Sequence, residues 1–189
     1  MANYTMTNIT FYSDNLTQLE KLFETIKQIM ESPSTDDNGF GNGWLGDFVN
    51  TLLSPTLSHE DVRCRGFIRD IYDISEGAFE IECEEAYSPC INMWKLILEK
   101  HFSEVKMVYT SEEPGDGLYV NSDEEGLFYP ERYLVEMGRE EEVADFRECF
   151  HTIEDVNKAV EEQKILNNYP WINIIEFKFS CDDEEETNI

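Results

Sequence analysis

Apolar residues near the start of the chain follow the period of a strand and then that of a helix. Thr5–Phe11 is β-branched and aromatic, with Ile9 and Phe11 on one face, which predicts a first strand. Asn15 is a suitable N-cap, and Gln18 stands at the capping-box position. An amphipathic helix lying on a sheet is predicted by the apolar residues that follow at helical spacing: Leu16, Leu19, Leu22, Phe23, Ile26, Ile29 and Met30.

The middle of the chain has the pattern of a β-hairpin. Val62–Ile74 and Ala78–Glu84 flank the turn residues Ser75-Glu76-Gly77. The second strand alternates, with Phe79, Ile81 and Cys83 predicted to face the core and Glu80, Glu82 and Glu84 to face solvent. The first strand carries Arg63, Arg65 and Arg69 on one face. Antiparallel pairing would set these arginines beside the glutamates, so we expect cross-strand ion pairs.

Ser88-Pro89 predicts the start of a second helix, and Val105–Tyr109 predicts the strand that follows it. The resulting order of strand, helix, hairpin, helix and strand is typical of a ferredoxin-like fold. We therefore predict an α+β protein whose antiparallel sheet is covered by helices on one face.

The last third of the chain predicts an extension of this fold. Thr152 is a suitable cap for a helix through about Gln163, and Trp171–Phe179 has the pattern of a final strand. We predict one domain over residues 1–180, with a ferredoxin-like core at about 62–133. Residues 181–189 form an acidic tail of a composition that is usually disordered.

The segment Tyr109–Tyr133 alternates short apolar runs with acidic turns. Leu118–Val120 and Leu127–Tyr129 are short enough to be strands. The turns carry Glu112, Glu113, Asp116, Asp123, Glu124 and Glu125, and a further acidic run follows at Glu140, Glu141 and Glu142. We expect these carboxylates to form a solvated anionic surface that binds a partner.

The charge balance narrows the choice of partner. The chain has 189 residues, with 41 Asp and Glu against 14 Lys and Arg, and its formal net charge is −27. A hydrophobic share of 41% is ordinary for a globular protein, so charge has not displaced the core. Such a charge argues against direct binding to nucleic acid or to an anionic membrane, because it repels phosphate. It favours basic partners or metal cations, and it equally suits a protein whose charge serves solubility alone.

Cysteine and histidine usage argues against a structural metal. The chain has five cysteines without a Cys-x-x-Cys pair, and none of its three histidines lies near a cysteine at zinc-finger spacing. We expect reduced thiols, no cofactor and a cytoplasmic location in a bacterial host cell. No apolar run approaches the length of a membrane span, and the N-terminus does not have the pattern of a signal peptide.

Several motifs resemble the YubB-type ferredoxin-like proteins of plasmids, phages and other mobile elements. The resemblance covers roughly Val62 to Tyr133. It is carried by Arg65-Gly66-Phe67-Ile68, Glu85-Ala86-Tyr87-Ser88-Pro89, Met93-Trp94, Tyr109-Thr-Ser-Glu-Glu-Pro-Gly and Gly126-Leu-Phe-Tyr-Pro-Glu-Arg-Tyr. The tryptophan-rich start common in those relatives is not reproduced by Ala2-Asn3-Tyr4-Thr5. The resemblance implies a fold and a mobile-element origin, and it implies no activity.

Three functions fit these observations. The anionic surface would imitate a nucleic-acid backbone and block the basic groove of a CRISPR effector nuclease or restriction enzyme, which makes the protein a non-enzymatic anti-defence inhibitor. Alternatively, Glu112, Glu113, Asp116 and Asp123 would bind Mg²⁺ in a nuclease acting on guide RNA or DNA, although no Lys or His stands near them as a proton shuttle. The third function is an accessory binding module with an ordinary solvated surface.

Overall fold

The computed structural model of the chain describes residues 3–33, 40–115, 117–141 and 143–180. The protein is α+β with antiparallel sheets, as the sequence predicts, and the described part contains four α-helices. The chain divides into two compact units, Met1–Leu118 and Tyr119–Ile189, inside the span predicted as one domain. The predicted acidic tail, 181–189, lies outside the described residues.

The first unit is built on four antiparallel strands. Its elements are β1 (Tyr4–Tyr12), α1 (Leu16–Glu31), α2 (Leu45–Phe48) with a π-helical turn (Val49–Leu53), β2 (Gly66–Ile71), β3 (Ala78–Ala86), α3 (Ile91–His101) and β4 (Lys106–Glu113). The strand order is β2-β3-β1-β4, and each neighbouring pair is antiparallel. A further strand, β5 (Leu118–Asn121), spans the division between the units.

α1 begins where the sequence predicts. The Asn15 side chain accepts a hydrogen bond from the backbone N–H of Gln18 at 3.3 Å, which satisfies one of the donors left unpaired at a helix start. The side-chain oxygen of Gln18 is buried without a partner among the described residues, so the reciprocal half of the capping box is not formed. The helix buries five of the seven residues predicted at helical spacing: Leu19, Leu22, Phe23, Ile26 and Ile29. Met30 is half-buried and Leu16 is exposed, so the prediction is wrong for Leu16.

α3 begins later than the sequence predicts. Its N-cap is Cys90, so the predicted start at Ser88-Pro89 is wrong. Tyr87 has a positive φ of 71°, which turns the chain at the point where the helix was expected. The N–H of Cys90 instead donates to the buried carboxyl group of Glu85 at 2.7 Å. The N–H at the start of this helix is therefore satisfied by a side chain of β3 and not by Ser88.

α1 and α3 pack on the same face of the sheet. The ring of Phe23 on α1 lies 5.2 Å from that of Phe79 on β3. The ring of Trp94 on α3 lies 5.3 Å from Phe11 on β1, and Phe48 of α2 lies 5.6 Å from the same tryptophan. All five aromatic side chains are buried. They hold the helices against one face, and the alternate residues of each strand point to the other.

The second unit contains a smaller sheet. Its elements are β6 (Tyr133–Gly138), β7 (Phe146–Phe150), α4 (Ile153–Asn167) and β8 (Trp171–Glu176). The strand order is β7-β6-β8, and both pairs are antiparallel. The sequence does not predict β7, because its central residues, Arg147, Glu148 and Cys149, are all exposed and carry no apolar alternation.

α4 covers one face of this smaller sheet. The hydroxyl of Thr152 accepts a hydrogen bond from the N–H of Asp155 at 3.2 Å, so the predicted cap is confirmed. Val156 packs with Val135 and Met137 on the face that α4 covers. On the opposite face the buried cluster comprises Tyr119, Leu134 and Phe177. None of the described helices is long and apolar enough to cross a membrane.

Candidate anionic interaction surfaces

Two of the predicted surface carboxylates are buried. Glu113 is 3% exposed and Asp123 is 2% exposed, so their predicted position in solvent is wrong. The carboxylate of Glu113 accepts a hydrogen bond from the N–H of Gly115 at 3.1 Å. A carboxylate engaged in this way satisfies the backbone of its own turn, which compensates for its removal from water.

The other predicted partner-binding residues lie on both units. Glu112 is half-buried in the first unit, and in the second unit Glu124, Glu125, Glu140 and Glu141 are exposed. Asp116 and Glu142 lie outside the described residues. Four of the nine predicted residues are therefore exposed in the described structure.

The carboxylate of Asp123 organises a loop in the second unit. One of its oxygens accepts the N–H of Gly126 at 3.1 Å, and the other accepts those of Phe128 and Tyr129 at 2.6 and 2.9 Å. Burial by itself raises the pKa of Asp123, but the backbone N–H donors outweigh it and hold the pKa below its usual 3.8. The charge of this residue is therefore used within the loop.

Asn121 and Arg132 close the same loop from its two ends. The Asn121 amide donates to the carbonyls of Tyr129 and Glu131, both at 2.7 Å. The Arg132 guanidinium donates to the carbonyls of Tyr129 at 2.9 Å, Glu131 at 3.1 Å and Glu124 at 3.2 Å. The first cation after the acidic turns thus donates to backbone carbonyls of this loop.

These hydrogen bonds explain why the predicted strand at Leu127–Tyr129 does not form. The N–H groups of Phe128 and Tyr129 donate to the carboxylate of Asp123, so they do not donate to a neighbouring strand. Gly126 has a positive φ of 69°, which suits a tight turn and not a strand. The spacing of Asp123 and Gly126 is the sequence signal that favours such a turn over a strand.

A second set of carboxylates lies on the first unit, on the face of its sheet opposite α1 and α3. We call this the carboxylate face. Glu80, Glu82 and Glu84 of β3 point to it and are half-buried, whereas the intervening Phe79, Ile81 and Cys83 are buried under the helices. The predicted alternation of β3 is thereby confirmed.

The strand register extends the carboxylate face across β2, β3, β1 and β4. One row of paired residues runs Phe67, Glu84, Met6 and Glu112, and the next runs Asp70, Glu82, Asn8 and Thr110. Acidic and apolar side chains therefore alternate across the first row. Met6 within it is 41% exposed.

Little positive charge offsets this face. Arg69 forms an ion pair with Glu84 at 2.5 Å, which confirms the predicted cross-strand pair for this arginine. The guanidinium of Arg63 instead donates to the backbone carbonyl of Ala86 at 2.9 Å. Arg65 precedes the first residue of β2, and no glutamate of β3 pairs with it among the described residues. The expectation that these arginines neutralise β3 is therefore wrong for two of the three.

The carboxylate face carries regularly spaced negative charge. Three alternate residues of a strand span about 13 Å, since each residue rises about 3.3 Å. Along β3 this length contains Glu80, Glu82 and Glu84, joined in register by Asp70 and Glu112 and offset by Arg69. Neighbouring carboxylates along β3 are therefore about 6.6 Å apart, and Arg69 offsets the charge of Glu84.

The part of the chain that the structure describes contains no candidate metal site. No group of three or more His, Cys, Asp or Glu side chains is placed there to hold a metal ion. Glu113 and Asp123, which the nuclease alternative uses as ligands, direct their carboxylates at backbone N–H groups.

Chelation is therefore expected to leave the fold unchanged. We expect the thermal midpoint to be the same with and without EDTA, because a structural metal contributes folding free energy that chelation removes. Differential scanning calorimetry measures the midpoint. A large drop on chelation would contradict this prediction and favour the metal-dependent nuclease.

Comparison with known proteins adds no relative. Searches against protein-family models, curated proteins and solved structures give no match to this chain. The features that bear on function are therefore the carboxylate face and the exposed acidic loops of the second unit.

Proposed function

We propose that this protein is an anti-defence inhibitor that occupies the basic nucleic-acid groove of a bacterial effector. An anti-CRISPR or anti-restriction role in the cytoplasm of the host cell is the form of this function that fits best. The observation that supports it most directly is the carboxylate face, where regularly spaced carboxylates of β3 are joined in register by Asp70 and Glu112 and one ion pair, with Arg69, offsets them. The inhibitor is not an enzyme and acts by occupying the groove.

The composition of the carboxylate face suits a groove lined by arginine and lysine. Such side chains carry their charge on long aliphatic stems, which pack on apolar surface while the charged head group meets a carboxylate. Met6 and Phe67 stand in the same row as Glu84 and Glu112 and offer that apolar surface. A face with both components can bind a basic protein more tightly than charge alone allows.

The proposal includes a ferredoxin-like fold, which the strand order supports, and a mobile-element origin, which the sequence motifs support. The order β2-β3-β1-β4, with two helices on one face, supports a ferredoxin-like first unit. The similarity of Arg65-Gly66-Phe67-Ile68 and the later motifs to the YubB-type proteins supports a mobile-element origin. Mobile elements benefit from proteins that block host nucleases, so origin and charge favour the same function.

The test is an assay of DNA cleavage by purified CRISPR nucleases and restriction enzymes. Three proteins are compared: wild type, a carboxylate-face variant (Glu80→Gln, Glu82→Gln, Glu84→Gln), and a control variant (Glu154→Gln, Glu161→Gln, Glu162→Gln) on exposed positions of α4. Both variants remove three negative charges, so their net charges are equal. We expect the concentration for half inhibition to rise at least tenfold for the carboxylate-face variant, since three lost charge pairs of about 0.5 kcal/mol each amount to about that factor.

A second comparison tests the exposed acidic loop. The variant Glu124→Lys, Glu125→Lys reverses two exposed charges next to Asp123 and leaves that buried carboxylate in place. Inhibition should also weaken steeply with salt, because exposed charges are screened beyond about 8 Å at physiological ionic strength. Equal inhibition by all four proteins would rule out the nucleic-acid mimic. Absence of inhibition for every effector would favour the accessory binding module.

A further inference from the structure

A carboxyl group is enclosed in the core of the first unit. Glu85 stands near the end of β3 and is 0% exposed, although the neighbouring Glu84 points to the opposite face. Its oxygens accept hydrogen bonds from the Thr7 hydroxyl at 2.5 Å and from the N–H of Cys90 at 2.7 Å. Glu85 therefore joins β1 to the N-terminus of α3.

The hydrogen bonds continue from Thr7 to a third strand. The Ser111 hydroxyl on β4 lies 3.0 Å from that of Thr7, so a chain of three polar side chains crosses β4, β1 and β3. A hydroxyl group both donates and accepts, and its hydrogen rotates to suit. The chain can therefore point toward an ionised Glu85 or away from a protonated one. Both protonation states of Glu85 fit the same arrangement of heavy atoms.

No cation forms a direct pair with this carboxyl group among the described residues. The guanidinium of Arg63 acts on it electrostatically, but it donates its hydrogen bond to the backbone carbonyl of Ala86. On the side of β2 the register partner is Gly66, where a Cβ atom would approach the Glu85 side chain to 2.8 Å. The glycine thus leaves room for the buried side chain but supplies no charge.

Thr5 of β1 is the register partner of Glu85, and the buried Glu113 of β4 lies on the same face of the sheet with its carboxylate accepting from the N–H of Gly115. Thiols also lie near Glu85. Cys83 and Cys90 are buried close to Glu85, and Cys64 lies near Cys90. Burial raises the pKa of each of these thiols, to about 11 for Cys64, so they stay neutral at ordinary pH. Burial also raises the pKa of Glu85 above 4.5, and this effect exceeds the opposing effects of Thr7, Cys90 and Arg63.

We propose that Glu85 acts as a pH-sensitive clasp between the sheet and α3. When its carboxyl group is protonated, it joins the sheet to α3 without a buried charge. When pH rises and the group ionises, the first unit is destabilised. The clasp gives this unit a dependence on pH that is separate from the repulsion among its surface carboxylates. It also explains why α3 begins at Cys90 without a side-chain cap of its own.

The direction of the effect follows from proton linkage. Below 4.5 the carboxyl group of Glu85 is protonated in both the folded and the unfolded chain, and the stability it allows is fully present. Between 4.5 and the higher pKa of the folded state, the unfolded chain has lost a proton that the folded chain keeps, so stability falls as pH rises. Each unit by which the folded pKa exceeds 4.5 lowers the folding equilibrium constant about tenfold.

The test is urea unfolding between about pH 4.5 and pH 8. A Trp171→Phe background makes tryptophan fluorescence report Trp44 and Trp94 of the first unit. Glu85→Gln keeps the shape of the side chain, and its amide can donate to Thr7 and accept from Cys90. Glu82→Gln is the matched control, because it removes one charge from the same strand on the carboxylate face. We expect Glu85→Gln to flatten the fall in stability with pH, whereas Glu82→Gln should leave a fall close to that of wild type.

Two further measurements test the protonation of Glu85 without the Glu85→Gln variant. Thr7→Val removes the hydroxyl that donates to the ionised carboxylate, so the fall in stability should extend to higher pH. NMR of ¹³C-labelled glutamate follows the Glu85 carboxyl group directly, and should show titration above 4.5 in the folded protein. Titration at or below that value, or an unchanged pH profile in Glu85→Gln, would overturn the proposal. If a variant fails to fold, the NMR titration of the wild-type protein still tests whether Glu85 titrates above 4.5.

Discussion

Replacement of Trp94 with alanine is expected to lower the free energy of unfolding by about 3–5 kcal/mol. The side chain is 0% exposed, and its ring packs on Phe11 of β1 and Phe48 of α2. Truncation to alanine removes the largest fully buried side chain of the first unit and leaves a cavity among groups held by the sheet. Urea unfolding measures the change through the shift of the midpoint at constant slope.

Two variants control for this prediction. The indole N–H of Trp94 has no partner among the described residues, so Trp94→Phe removes an unpaired donor while it keeps an aromatic ring. We expect Trp94→Phe to be less destabilising than Trp94→Ala. Leu166→Ala removes a side chain that is 73% exposed and should change stability by less than about 0.5 kcal/mol. A loss below about 1 kcal/mol for Trp94→Ala would show that α3 does not pack through this residue.

Replacement of Asp123 with alanine is expected to lower the stability of the second unit by about 3 kcal/mol or more. The substitution removes the acceptors of three backbone N–H groups, on Gly126, Phe128 and Tyr129. A buried donor left without a partner costs about 1–3 kcal/mol, and because these three donors are only partly buried, water replaces part of what is lost and limits the total. Urea unfolding followed by Trp171 fluorescence in a Trp44→Phe, Trp94→Phe background measures this loss.

The neighbours of Asp123 provide matched controls. Glu124→Ala removes an exposed carboxylate from the same loop and should change stability by less than about 0.5 kcal/mol. Asp123→Asn keeps one acceptor oxygen and should fall between the two. The depressed pKa of Asp123 adds a pH test, because its contribution is present above 3.8 and is lost as pH falls through the lower folded value. Equal stability of Asp123→Ala and Glu124→Ala would contradict the role assigned to the buried carboxylate.

These predictions separate carboxylates that serve structure from those available to a partner. Asp123, Glu113 and Glu85 are buried and hydrogen-bonded, so their carboxyl groups do not contribute to a docking surface. Glu82 and Glu84 are half-buried on the carboxylate face and remain accessible to a basic partner. A variant that changes buried and accessible carboxylates together would lose binding through unfolding as well as through lost contacts. A binding assay on such a variant would not separate the two causes. The charge-matched variants on β3 and α4 avoid this confusion.

The sequence by itself determined the elements that depend on near neighbours. The caps at Asn15 and Thr152 involve residues three positions away, so the local pattern was sufficient to predict them. The alternation of β3 was predictable for the same reason, because successive side chains of any strand point to opposite faces. The acidic composition likewise predicted a shortage of positive charge.

Only the tertiary structure decided which carboxylates meet solvent. Glu84 and Glu85 are adjacent and chemically identical, yet one pairs with Arg69 on the carboxylate face and the other lies buried beneath α3. The difference depends on a helix that packs on one face of β3 and on Thr7, seventy-eight positions away in the chain. Burial of a charged group requires partners that the fold brings together from distant segments, and no local pattern of residue types specifies them.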